Sequence, residues 1–139
     1  MRLAAWIAVV IGVILIVAVV GGLVMEGWPG STDARRYNRT ENEIHAAAAA
    51  IEAWSTDHQS QYPNVRSFAE LKPLLEPKYI AALPINDAWG HPYRYERAGR
   101  SFFIGSSGRD GLWEHPRLSQ YRGHMPMSSW DADIVYASR

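Results

Sequence analysis

The feature that most constrains this chain is a run of 23 uncharged residues, Leu3 to Met25. A helix needs about 20 apolar residues to cross the hydrocarbon core of a bilayer. A cleaved secretory signal has a shorter apolar region, about 7–15 residues, and a small-x-small cleavage site. This run is longer and has no clear Ala-x-Ala, so the sequence predicts an uncleaved single-span anchor over residues 1–26. Trp6 and Trp28 sit near the two expected interfaces, where amphipathic rings settle. In a chain of 139 residues the remainder is long enough for one small domain. Charge alone leaves the side open. Arg2 lies before the run, whereas Arg35, Arg36 and Arg39 after it would favour a cytoplasmic domain by positive-inside counting.

Composition narrows the class of that domain. The formal net charge is zero, which gives no electrostatic support to a nucleic-acid partner. There is no cysteine, hence no disulfide framework, thiolate metal site or cysteine nucleophile. Six Trp and seven Tyr point to a core built on a few large aromatics.

The sequence predicts a linker over residues 27–33, because Pro29 lacks an amide donor and disfavours helix in the residue before it. Ser31, Thr32 and Asp33 are good N-caps for a following helix, and Thr40-x-x-Glu43 offers a later capping-box start. Ile44, Ala47, Ala48, Ile51, Trp54 and Ser55 then form a helical stripe, reinforced by five successive alanines, Ala46 to Ala50. Gln59 to Pro63 ends it. Ser67-Phe-Ala-Glu70 opens a short helix burying Phe68, Leu71 and Leu74 or Leu75.

Leu83 to Tyr95 carries the chain from helix to sheet. Pro84 and Asn86-Asp87 favour a turn, Trp89 is the expected buried anchor, and Gly90 can take a positive φ. Tyr93 and Tyr95 share one face of an extended segment. Ser101 to Gly105 is a second strand, with Ala98-Gly99-Arg100 as the hairpin turn. Ser106 to Ser129 is a loop so long that it must be functional or held in place. Asp131 to Tyr136 closes the chain as a short strand. The predicted fold is α+β, with a transmembrane helix followed, over residues 34–139, by an amphipathic helix packed on a small antiparallel sheet.

Chemistry is sparse. Asp110, Asp131 and Asp133 bracket the glycine-rich loop, and a hard cation such as calcium takes six to eight oxygens from such carboxylates and loop carbonyls. The same residues also fit an ordinary turn at Asp110-Gly111 and a strand entry at Asp131. His45, His58, His91, His115 and His124 are scattered, with no His-x-x-x-His pair. Ser106-Ser107-Gly108 lacks the hydrolase elbow, and no phosphate-cradling glycine loop precedes a helix, so no enzymatic activity is expected. Arg94, Arg97 and Arg100 could form a basic edge, interrupted by Glu96.

Several segments, in order, resemble one family. They are the helix ending in Tyr62-Pro63, Leu83-Pro84, Asp87-Ala-Trp-Gly-x-Pro-Tyr-x-Tyr95, Ser107-Gly-x-Asp-Gly111 and Asp131-Ala-Asp-Ile134. Together they resemble the major pseudopilin of type II secretion systems, within the type IV pilin-like proteins. The resemblance implies a pilin-like fold, a bacterial inner-membrane anchor and a periplasmic C-terminal domain. It implies stacking with other pseudopilin subunits or secretion-system components into a short filament for protein secretion. It also implies calcium held by Asp110, Asp131 and Asp133. One departure concerns the hydrophobic run. The family places a Glu at the fifth mature position, after the glycine cut by its peptidase. Leu3 to Met25 has no acidic residue, and Gly22-Leu-Val-Met-Glu26 puts its Glu at the fourth position. A standalone anchored periplasmic binding module that never polymerises is the other expectation.

Overall fold

A helix, α1, runs from Pro29 to Asp57 in the computed structural model, which describes residues 29–121 and 129–138. The predicted anchor over Leu3 to Met25, and His124 in the long loop, lie outside the described residues. Among the described residues no helix is long and apolar enough to cross a membrane. By its internal contacts the chain divides into two units, Met1–Ala34 and Arg35–Arg139.

The predicted linker does not extend to residue 33, and helix does not wait for Thr40, since Pro29 onward is already helical. A proline in the first turn forfeits no hydrogen bond. Thr40 lies mid-helix, fully buried, and its hydroxyl accepts the Ala88 amide at 3.1 Å. Glu43, the other half of the supposed capping box, pairs with Arg39 at 2.8 Å and accepts the Tyr93 hydroxyl at 2.7 Å. A tertiary partner has claimed each residue of the local motif.

From Arg35 onward the fold is α+β, a long helix packed on a small three-stranded antiparallel sheet. Ile44, Ala47, Ala48 and Ile51 are buried, as their spacing predicts, while Ala46 and Ala49 face solvent. After Asp57 the amides of His58 and Ser60 both bond the Ser55 carbonyl, at 3.0 and 2.9 Å, with Gln59 and Ser60 left-handed. That turn stops the helix before Pro63. A 3-10 turn at Phe68–Leu71 then leads into a one-turn helix, α2, at Lys72–Leu75. Phe68, Leu71 and Leu75 are buried, whereas Leu74 is exposed. Glu70 accepts the Ser67 hydroxyl and the Arg66 amide rather than closing the predicted capping box on Ser67.

The sheet has order β1-β2-β3, with β1 at Arg94–Ala98, β2 at Ser101–Ser106 and β3 at Ile134–Ala137. The two-residue turn Gly99-Arg100 fixes the hairpin register, Ala98 opposite Ser101 and Tyr95 opposite Ile104. Gly99 alone takes positive φ there, at 62°, which matches a II′ turn. On β3, Tyr136 pairs with Ile104 and Ile134 with Ser106.

Strand alternation gives the sheet two apolar faces. Tyr95, Phe102, Ile104 and Ile134 join the buried residues of α1 in the main core. Val135 and the half-buried Phe103 face the other way, where Trp113, Leu118 and Tyr121 of the long loop cover them. The loop is therefore a second layer, held by β1. Glu96 accepts the Leu118 amide at 2.7 Å and the Ser119 hydroxyl at 2.5 Å, and the Arg94 guanidinium lies 4.2 Å from the centre of the Trp113 ring. Two of the residues read as a broken basic edge, Arg94 and Glu96, are points where the loop attaches, whereas Arg97 reaches the Gly99 carbonyl of its own hairpin.

Candidate functional site

The site begins at the turn before β1. Asn86 and Pro92 form an isolated bridge, and the Asp87 amide bonds the His91 carbonyl at 2.8 Å, so 85–93 folds back on itself. At its tip the Gly90 amide bonds the Asp87 carbonyl with Gly90 at φ 95°. The Asp87 side chain is fully buried. Its Oδ1 accepts the amides of Trp89 at 3.0 Å and His91 at 2.8 Å, and its Oδ2 accepts the Ser106 hydroxyl at 2.6 Å. Trp89, the expected anchor, is only half-buried against the core. The small carboxylate anchors this turn because three donors converge on it, as a buried polar side chain requires.

Ser106 extends the network across the sheet end. Its Oγ also accepts the Gly108 amide at 3.1 Å, and the His91 Nδ1–H donates to the Gly108 carbonyl at 2.9 Å. Serine, histidine and aspartate thus meet here, but the serine hydroxyl serves the carboxylate and is closed to solvent. No hydrogen bond joins Ser106 to His91 among the described residues, so the geometry builds no nucleophile–base pair.

From Gly108 the loop meets its own far end. Gly108 has φ 65°, and a Cβ there would stand 2.6 Å from the Ala132 carbonyl oxygen and 3.1 Å from those of Asp131 and Trp130. Only glycine permits this approach. The Arg109 amide donates to the Trp130 carbonyl at 3.0 Å. The Arg109 side chain grips Asp131 with two bonds, Nε to Oδ1 at 2.8 Å and Nη2 to Oδ2 at 3.0 Å. That guanidinium holds the Asp131 carboxyl below its ordinary range.

The three predicted cation ligands occupy three different settings. Asp110 is exposed, and its Oδ1 accepts the Leu112 amide at 2.9 Å, an Asx turn. Asp131 is half-buried and paired with Arg109. Asp133 is buried, and its Oδ2 accepts the Glu114 amide at 2.9 Å and the Tyr121 hydroxyl. Burial, reinforced by that bond to Asp133, pushes the Tyr121 hydroxyl well above its ordinary value and keeps it a donor. Asp133 Oδ1 is buried with no hydrogen-bond partner among the described residues. No group of three or more His, Asp or Glu side chains placed to hold a metal ion occurs among the described residues.

A calcium site needs six to eight oxygens. The three carboxylates form no such shell among the described residues: Asp110 serves the Leu112 amide, Asp131 is engaged by Arg109, and Asp133 has one partnered and one unpartnered oxygen. Among the described histidines, His91 bonds the Gly108 carbonyl and the others make ring contacts. His45 meets Tyr136 edge-on, His58 stacks on Trp54 at 3.7 Å, and His115 meets Tyr121 edge-on.

Sequence reasoning marked Asp87 as a turn residue but missed its tie to Ser106. It also missed Arg109 and Tyr121, whose partners stand 22 and 12 residues away. Compared with protein-family models, with curated proteins and with solved structures, the chain matches none.

Proposed function

We propose that this chain is a membrane-anchored, pseudopilin-like structural subunit or accessory of a type II secretion-like filament, acting in protein secretion without enzymatic chemistry. The observation that carries this reading is the architecture from Arg35 onward. A long helix with a buried alanine-rich stripe lies on a three-stranded antiparallel sheet, and a long loop doubles back over the far face. In the proposal residues 1–26 are the single-span anchor in the bacterial inner membrane, and the pilin-like domain, residues 34–139, is periplasmic. Its partners are the membrane and other pseudopilin subunits or secretion-system components, not nucleic acid.

Calcium belongs to the same reading. Asp110, Asp131 and Asp133 are the residues that would hold it, with loop carbonyls completing the shell. Bound there, calcium would neutralise carboxylates at the two ends of the loop and tie those ends together. The orphaned Asp133 Oδ1 supports this, because a buried carboxylate oxygen without a donor is unfavourable unless a cation or hydrogen bond serves it.

A second reading is an anchored periplasmic binding module that reuses the domain and never polymerises. It is favoured by the absence of an acidic residue in the hydrophobic run Leu3 to Met25. Crosslinking of intact membranes separates the two. A ladder of multimers is expected for the filament subunit. A strictly monomeric band, together with an intact Met1 by mass spectrometry, overturns that reading in favour of the module.

A further inference from the structure

We infer that the outer edge of β1 is a docking site for an extended, acidic segment of a partner protein, which adds to the sheet as a fourth strand; the surface belongs to the domain itself and is independent of the filament and calcium readings. The first observation is the hydrogen-bond register. In the order β1-β2-β3, β1 is an edge strand. Phe102 of β2 turns both its backbone groups away from β1. Its amide donates to the Ser138 hydroxyl oxygen at 2.7 Å, and its carbonyl accepts the Ser138 amide at 2.9 Å. Arg97, opposite Phe102, therefore stands outside the β1–β2 ladder, and by alternation so does Tyr95, opposite Ile104. The amides and carbonyls of Arg97 and Tyr95 point to the outer edge, where no described backbone group pairs with them.

The second observation is space beside that strand. An open cleft of about 340 Å³ is lined by residues 66–68 and by Arg94, Tyr95 and Glu96. Another, of about 420 Å³, is lined by the end of α1 and by Arg97. The third is charge. Arg66, Arg94 and Arg97 line these clefts, and no carboxylate pairs with any of the three among the described residues. The two acids in the same linings are already engaged, Glu96 by the Leu118 amide and Ser119 hydroxyl, and Asp57 by Lys78 and Tyr79. Backbone bonds to an edge strand supply affinity, and the side chains beside it select the strand that adds. Arginines there disfavour a neutral or basic strand and attract an acidic one. A second copy pairing through its own β1 would set arginine against arginine.

The full-length chain, purified in a non-ionic detergent, is titrated into a fluorescein-labelled peptide of alternating Glu and Val and followed by fluorescence anisotropy. Binding is expected, weakened by salt and absent for the peptide of alternating Lys and Val. Arg94→Ala and Arg97→Ala should each weaken it about two- to fivefold. Arg97→Pro removes the outward amide as well as the charge, and that amide serves no ladder bond, so the sheet should tolerate it. It is expected to bind about fivefold or more weakly than Arg97→Ala, because the peptide carbonyl opposite loses its donor. A peptide N-methylated throughout keeps its charges but cannot donate to the strand, and is expected not to bind. That arm tests backbone pairing even if Arg97→Pro fails to fold.

No binding of the acidic peptide, or equal binding of the acidic and basic peptides, overturns the docking site. Equal binding of the methylated and unmethylated peptides, or equal affinity of folded Arg97→Pro and Arg97→Ala, overturns strand addition and leaves only attraction of anions to the arginines. Self-association of the chain that Arg97→Pro abolishes overturns the acidic partner and gives the edge to a second copy.

Discussion

Asp87 shows how one short side chain can organise more than a large aromatic. Its two oxygens accept from the amides of Trp89 and His91 and from the Ser106 hydroxyl, all without access to solvent. In Asp87→Ala those donors lose their acceptor, and each buried unsatisfied donor costs about 1–3 kcal/mol. The expected loss is therefore at least about 3 kcal/mol in urea unfolding. Asp87→Asn keeps an acceptor for the two amides and should lose about half as much. A loss under about 1 kcal/mol for the alanine variant would show that water replaces the carboxylate. The sequence makes half of this readable. Asn86-Asp87 before Trp89-Gly90 announces a turn, because the bonds involved are local. The bond to Ser106 spans 19 residues and exists only once β2 has been placed. Trp89 looks like the anchor on size alone, but the turn leaves it half-buried.

At the scale of elements, the sheet's two faces are unequally legible. The helix stripe, the Gly99 turn and the alternation of Tyr93 and Tyr95 are periodic or local, and each matches the fold. The start of α1 was not legible, because a capping box and a mid-helix tertiary contact look alike in sequence; Thr40 and Glu43 serve Ala88 and Tyr93 instead. Nor was the layer formed by the long loop legible, since Glu96 meets Leu118 only after strand and loop are both in place. Gly105 reports on that layer. A Cβ there would stand 2.9 Å from Leu118 Cδ2 and 3.1 and 3.2 Å from ring atoms of Trp113. Leu118 can shift a methyl, but the Trp113 ring is stacked under Arg94 and has less freedom. Gly105→Ala is therefore expected to cost about 1–3 kcal/mol by overpacking. Because the clash is confined to the loop's face, trypsin should cut faster after Arg109 and Arg117 while the helix–sheet core still melts cooperatively. Unchanged cleavage at both arginines would mean that the loop does not rest on Gly105.

For the whole molecule, pH tests whether stability lies in the exposed ion pairs or in the buried aromatics. Asp57, Glu76 and Asp131 all sit below their ordinary values. Hydrogen bonds from Lys78 and Tyr79 act on Asp57, the Leu83 amide and Lys72 act on Glu76, and Arg109 acts on Asp131. A depressed carboxylate adds stability above its unfolded value of about 4 and loses it as pH falls through the folded value. Asp57 is exposed and Glu76 and Asp131 are half-buried, all within reach of solvent, so screening by water makes their combined acid limb shallow. Tyr93, Tyr95 and Tyr121 are displaced the other way. Burial raises each hydroxyl well above its ordinary value, and bonds to Glu43 and Asp133 add to the effect at Tyr93 and Tyr121. The folded chain then keeps protons that the unfolded chain releases above about pH 10, so stability is intact below that pH and falls as pH climbs toward the folded values. The three buried phenols are therefore expected to outweigh the three solvent-screened carboxylates. Urea unfolding in steps from pH 3 to 11 should therefore be nearly flat between about 5 and 9, decline gently below 4 and fall steeply above 10. Adding salt should flatten the acid limb further and leave the alkaline limb in place, since only the exposed pairs are screened. An alkaline limb shallower than the acid one would place the control of stability in the ion pairs, against the packing of Tyr93 and Tyr95 in the core and of the loop's Tyr121 on the far face of the sheet.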